Sequence, residues 1–305
     1  VTTGSGACSV ETESDIRYKN ALKLSTVKGG GAWPSWNIPF GKTISLNGDG
    51  SFYTETEFDI KPFGFKDIVS LGKNSDVKLF LLNGNQKPVG LKFHTNGNVI
   101  IFRDSGSKDL ITLKNKAYTS DWNNIKIITH TYLNGDERIQ EISGIYINGA
   151  ESLKEANGGA GYPFIEAADD ITKILIKTNK NYPEYDFEFG AYVDNIAVNT
   201  YASDNGISPV PDMYSFKKAV LEYENDYNAL IEQGTAESEL AAVKTAVDEA
   251  KLLFDGIYEK SEISAAREKI AKAFYTYKSG PDAAEYAKSY DFESENSQNG
   301  FKSML

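Results

Sequence analysis

The chain is 305 residues long with 40% hydrophobic content, enough to bury a sizeable core and too long for one ordinary core, so two domains are expected. Lys and Arg number 32 against 43 Asp and Glu, and the resulting net charge of −11 repels phosphate backbones and argues against nucleic acid as a partner. One cysteine, Cys8, leaves no disulfide framework and no cysteine-based metal site.

Cysteine poverty fits a cytosolic protein or a Gram-positive secreted one. No run of about 18 apolar residues is present to span a membrane. No signal-peptide pattern opens at Val1, so a secreted protein would be represented here by a mature form or a fragment.

Taken in order, the head VTTGSGACSVETESD reads as a Gly/Ser/Thr-rich loop that reaches its first apolar strand at ALKLS, residues 21–25. From there to about Tyr201 the punctuation is all-β, with short alternating runs between Asn-Gly, Gly-Asp and Asp-Ser-Gly turn formers. Strands are expected over 21–27, 43–46, 52–60, 68–71, 77–82, 89–94, 99–103, 110–113, 125–133, 141–147, 171–177 and 187–198, the count of a large antiparallel jelly-roll β-sandwich occupying residues 1–207.

Pro209 and Pro211 mark a linker over 208–211, and the period then changes. Phe216, Val220, Tyr223, Tyr227 and Leu230 recur at steps of four and three. So do Leu240, Val243, Val247, Ala250 and Phe254, and then Ile263, Ala266, Ile270, Ala273 and Tyr277. Short breaks at Gly234 and Gly256 force antiparallel neighbours, which gives an up-down-up three-helix bundle over 212–289. Both glycines are placed as C-caps, and Ser261 with Glu262 reads as the start of the third helix.

The tail, 290–305, reads YDFESENSQNGFKSML: a strand of the Tyr-Asp-Phe-Glu kind leading into an Asn299-Gly300 turn. It is a beginning placed at an end, as the head is an interior placed at a start. Three helices of about 18 residues, each spanning roughly 27 Å, would release the chain at the end of the bundle far from its own sandwich. The tail is therefore expected to complete the sandwich of a neighbouring unit in preference to its own; a disordered linker is the plainer alternative.

Joined tail to head, these residues resemble the opening of bacterial carbohydrate-binding β-sandwiches. NGNVIIF, DWNNIKI, GIYINGAE and GAYVDNIAV resemble segments of the concanavalin A-like and laminin-G-like sandwiches, a likeness covering about two thirds of the chain. LAAVKTAVDEAKLLFDGIYEKSEISAAREKIAKA resembles the FIVAR modules found between domains of Gram-positive surface proteins and secreted glycan-processing enzymes.

Site candidates follow from alternation and from these resemblances. On strand 52–60, Tyr53, Glu55, Glu57 and Asp59 share one face, opposite Phe52, Thr54, Thr56, Phe58 and Ile60. Three carboxylates on one face are not expected in a core, so this face is either a sugar-binding surface of the concanavalin A-like kind or a solvated outer face. Glu57-Phe58-Asp59-Ile60 is similar to the Glu-x-Asp-x-x-Glu strand of retaining glucanases, but Lys61 and Pro62 stand where the acid Glu would fall, so hydrolysis is not expected. His94 and His130, the two histidines, are expected to make structural contacts.

Trp33 and Trp36 in GGGAWPSWNIPFG read as loop tryptophans that either stack on a sugar or plug the open end of the sandwich; Trp122 reads as core. Tyr162, Tyr182 and Tyr185 are weaker loop candidates. The family resemblance implies a structural calcium held by Asp194 and Glu293, with loop oxygens near Glu11 and Glu13; two ordinary surface carboxylates are the alternative.

The expectation is a non-catalytic extracellular module, secreted or on the cell surface. It would bind a polysaccharide or cell-wall glycan and meet neighbouring copies of itself through the tail. A purely structural filament or layer repeat, and an accessory part of a polysaccharide-degrading enzyme, are the competing classes.

Overall fold

The computed structural model describes residues 2–3, 6–11, 18, 20–28, 33–46, 51–73, 75–113, 121–179, 184, 186–202, 212–256 and 258–279. The tail, and with it Glu293, lies outside these residues, as do Glu13, Tyr182, Tyr185, Pro209 and Pro211. The chain divides into two units, Val1–Pro211 and Asp212–Leu305.

Among the described residues the first unit has fifteen strands: β1 (Thr2–Thr3), β2 (Gly6–Glu11), β3 (Ala21–Thr26), β4 (Ser35–Ser45), β5 (Phe52–Phe63), β6 (Asp76–Asn83), β7 (Gln86–His94), β8 (Val99–Arg103), β9 (Lys108–Thr112), β10 (Asn123–Asn134), β11 (Glu137–Ile147), β12 (Ala150–Glu151), β13 (Tyr162–Pro163), β14 (Asp170–Thr178) and β15 (Gly190–Tyr201). Two short helices, α1 (Phe65–Ser70) and α2 (Leu153–Ala156), interrupt them.

Every strand pairing among the described residues is antiparallel, in two sheets of a sandwich-like layout. Sheet A runs β1-β4-β14-β6-β7-β8-β9 and sheet B runs β12-β11-β10-β5-β15-β3-β2, with β13 beside β11. Alternation sets the core. Val77, Leu79 and Leu81 of β6, Ile174 and Ile176 of β14 and Leu91 and Phe93 of β7 turn inward from sheet A; Phe58 and Ile60 of β5 and Ile125 and Ile127 of β10 do so from sheet B.

Three segments depart from the sequence reading. Residues 68–70 are helical and Leu71 caps the helix, because Phe65 and Ile68, both buried, lie three apart on one face of α1 and only the run Ile-Val-Ser-Leu looked like a strand. The tryptophan loop is in fact the start of β4: Trp36, Phe40 and Ile44 are buried on one side, while Pro39 and Gly41 gave the segment the look of a turn. Gly41, at φ +73, and a register shift in β14 between Ile171 and Lys173 absorb the irregularity. The head supplies the edge strands β1 and β2 where a loop was expected; the middle four residues of β2 are exposed, so no apolar alternation announced it.

In the second unit, α3 (Asp212–Glu232), α4 (Ala241–Lys251) and α5 (Lys260–Ser279) pack around one apolar core that includes Phe216, Val220, Leu240, Val247, Ile270 and Phe274. The three apolar stripes read from the sequence all face this core, fully or in part. Gly234, at φ +93, follows α3 as a left-handed cap, whereas Gly256 is extended at φ −130 after a 3-10 turn, Leu252–Asp255. The N-terminal cap of α5 is Glu259, whose N–H donates to Glu262 Oε2 at 2.7 Å, two residues before the expected start at Ser261. Among the described residues, no helix is long and apolar enough to cross a membrane.

Candidate functional site

The predicted site residues fall on two different sheets. Tyr53, Glu55, Glu57 and Asp59 share the outward face of β5 in sheet B, as alternation required, but the three carboxylates are only 2%, 0% and 1% exposed. Strand register explains how charges survive there. β10 places Asn124 opposite Asp59, Lys126 opposite Glu57 and His130 opposite Tyr53.

Lys126 Nζ lies 3.3 Å from Glu57 Oε2 and 3.8 Å from Glu55 Oε1. Asn124 Nδ2 donates to Glu57 Oε1 at 2.8 Å and to Asp59 Oδ1 at 2.9 Å, and Asn195 Nδ2 of β15 donates to Asp59 Oδ2 at 2.6 Å. A buried charge is tolerated when it is paired and hydrogen-bonded, and this set is both. Where the sequence reading expected a sugar-binding or solvated surface, the carboxylates of this face are engaged by strand neighbours within the first unit.

Tyr53 stacks on His130 at 4.0 Å, and His130 hydrogen-bonds Ser51 Oγ at 2.8 Å with Glu141 Oε1 3.4 Å from its other nitrogen. His94 accepts the Asn96 N–H. Both histidines thus make local contacts.

The tryptophans separate. Trp36 is 2% exposed and its indole N–H donates to the Ala7 carbonyl at 3.0 Å, so it belongs to the interior and offers no stacking face. Trp33, just before β4, is 60% exposed. Trp122, read as core, is half-buried and stacks on Tyr18 at 4.0 Å, and Tyr162 is half-buried in β13. Asp194 lies in β15, where its Oδ1 accepts the Asn195 N–H, and among the described residues it stands in no cluster of three metal-type side chains.

Trp33 forms one wall of a cleft of about 420 Å³ whose other lining residues are Pro34, Ser35, Lys78, Asp104, Ser107, Lys177 and Thr178. That volume lies within the range of small-ligand sites, roughly 300–1,000 Å³. Sheet A builds the cleft from three adjacent strands. Ser35 of β4 pairs with Lys177 of β14, which pairs with Lys78 of β6, and the Thr178 N–H donates to the Pro34 carbonyl at 3.3 Å, fixing the segment that carries Trp33.

Beside the cleft, the outward face of sheet A carries a second apolar cluster, Phe80, Leu82, Phe102 and Leu175. Gly90, opposite Phe80, leaves room for it: a Cβ there would stand 2.3 Å from the Phe102 carbonyl oxygen and 2.9 Å from the Phe80 ring. Lysine stems cover the cluster, with Lys78 and Lys92 ammoniums 5.1 and 5.2 Å from the Phe102 ring and Lys87 and Lys177 5.6 and 5.9 Å from that of Phe80.

Asp104 ties this cover down, accepting from Lys87 Nζ at 2.7 Å and Lys177 Nζ at 2.9 Å. Burial, the largest single influence on its carboxyl, pushes the pKa up, but the hydrogen bonds and charges of the two lysines together outweigh it and hold the group below the ordinary carboxylate value. The cleft thus combines an exposed indole, hydroxyls from Ser35 and Ser107, two ammonium donors and one carboxylate acceptor. Of these residues only Trp33 was marked in the sequence; the others sit far apart in the chain and only the register of sheet A gathers them.

No family model matches the chain, and no curated protein matches it. Solved structures with partial likeness include a sialidase (12% identity, TM-score 0.37, covering 70% of this chain and 18% of that one), peanut lectin (8% identity, TM-score 0.33, covering 66% and 93%) and an alginate lyase (7% identity, TM-score 0.33, covering 60% and 75%). The chain thus aligns with under a fifth of the sialidase's length. Likeness this slight carries no correspondence of residues or of activity.

Proposed function

We propose that the first unit is a non-catalytic, extracellular glycan-binding module and that its binding site is the Trp33 cleft. The observation that carries this is the exposure of Trp33 over a polar floor. An indole held out in water presents a flat apolar face suited to one side of a pyranose, and Ser35, Ser107, Lys78, Lys177 and Asp104 offer donors and an acceptor to its hydroxyls.

The test is a calorimetric titration of the full chain against a panel of plant, fungal and bacterial wall oligosaccharides. At least one binds, and Trp33→Ala weakens that binding at least about tenfold, ~1.4 kcal/mol, without changing the melting temperature. Binding that is indifferent to Trp33→Ala contradicts the assignment.

The helical unit, in this reading, resembles a jointless spacer of the FIVAR kind, and the tail 290–305 completes the sandwich of a neighbouring copy. The tail's own sequence supports this role: a Tyr-Asp-Phe-Glu run of strand character leads into an Asn299-Gly300 turn. Deleting 290–305 is expected to abolish association between copies, read by sedimentation. Glu293 of the incoming tail would join Asp194 in holding a structural calcium, tested by whether calcium raises the melting temperature of the full chain and not of the Asp194→Asn variant.

A further inference from the structure

We infer that the Trp33 cleft selects an anionic saccharide, with the sugar's carboxylate or sulfate seated between Lys78 and Lys177 while Trp33 covers the ring. This rests on the glycan-binding reading above and narrows its ligand. The starting observation is a row of like charges: Lys177, Lys78 and Lys92 are direct cross-strand partners on β14, β6 and β7.

Like charges directly opposite one another weaken a sheet, and three in adjacent strands, about 5 Å apart per interval, form a local conflict of the kind that folded proteins keep at functional sites. The row stands out in a chain whose net charge is −11.

The acids paired with the row are shared out thinly. Among the described residues Lys78 pairs with Asp76 at 3.3 Å and Lys92 with Asp109, while Asp104 serves both Lys87 and Lys177, so in these ion pairs four ammoniums meet three carboxylates; Glu166 accepts the Lys87 N–H at 2.7 Å. Lys173, four residues before Lys177 on the same face of β14, places a further cation along that face, outside the cleft itself.

Two of the cleft's lining residues are ammoniums, each with three donors and no acceptor, against one carboxylate already engaged by two lysines. A neutral sugar would satisfy these donors with hydroxyls; an anion satisfies them and also relieves the Lys78–Lys177 repulsion. The ammoniums are partly shielded, with side-chain exposures of 16% and 33%, so an anion between them meets less solvent screening than on an open surface.

The test uses the full chain and pairs of probes that share a sugar backbone and differ at the charged group: oligogalacturonate against its methyl ester, and sulfated against desulfated carrageenan oligosaccharides, with neutral xylo-, cello- and manno-oligosaccharides alongside. The charged member of at least one pair is expected to bind at least tenfold tighter than its neutral twin, with affinity falling as salt rises. The carboxylate and sulfate arms tell the two anions apart.

Lys177→Met and Lys78→Met should each lower that affinity about tenfold, Lys177→Arg should restore most of it, and melting temperatures report that the variants are folded. Neutral oligosaccharides bound in a Trp33-dependent way, equally by wild type and both Met variants, overturn this inference and leave the glycan-binding reading standing. No binding by any probe overturns both.

Discussion

The two sheets of the first unit use charged strands in opposite ways. On the outward face of sheet B, Glu55, Glu57 and Asp59 are met across the ladder by Lys126, Asn124 and Asn195, so opposite and complementary groups face each other. On the outward face of sheet A, Lys78, Lys92 and Lys177 face each other as like charges, and their partners come from side or loop positions that leave donors beside an exposed tryptophan. Whether charge on a strand is matched or left as a row of like groups depends on what the register sets opposite it, which its own sequence does not contain.

Removing Lys126 should strain this contrast most. Lys126→Met takes away a fully buried cation and leaves Glu55 and Glu57 facing each other, and we expect it to destabilise the protein by roughly 3–5 kcal/mol in urea titration. The matching change in sheet A, Lys177→Met, should cost less than about 1 kcal/mol because that ammonium is partly solvated and Asp104 keeps Lys87. Equal losses would erase the distinction between the two faces.

Gly90→Ala probes the packing beneath the lysines. Its Cβ meets a backbone carbonyl, which cannot step aside as a side chain can, so a loss of about 1–3 kcal/mol is expected. The smallest effect is that of pH. Because the Asp104 carboxyl is held below its ordinary value, its contribution to stability is fully present above about pH 4 and is lost as the pH falls through the folded-state value. Asp104→Asn should flatten that acid limb of the stability curve.

Much of the architecture could be read from residues alone. The alternation in β5 placed its carboxylates on one face, and steps of three and four found the three helices through Phe216, Val220, Leu240, Val247 and Ile270. What failed was partner-dependent or disguised. β4 hid behind Pro39 and Gly41, and the middle of β2 has no buried side to show a period.

The site was half legible. Trp33 was marked as an aromatic in a Gly/Pro-rich stretch, but the same rule also marked Trp36, three residues on, which alternation in β4 turns into the core. Lys78, Asp104 and Lys177 carried no local signal, because their meeting depends on a strand order in which β14, late in the chain, lies between β4 and β6.

The most direct measurement is a glycan titration of three full-length proteins: wild type, Trp33→Ala and Glu57→Gln, each checked for folding by circular dichroism. If the Trp33 cleft is the binding site, Trp33→Ala loses binding while Glu57→Gln, altered only in the internal network, keeps it. Binding that survives Trp33→Ala and disappears in a folded Glu57→Gln protein would return the site to the β5 face and contradict the account.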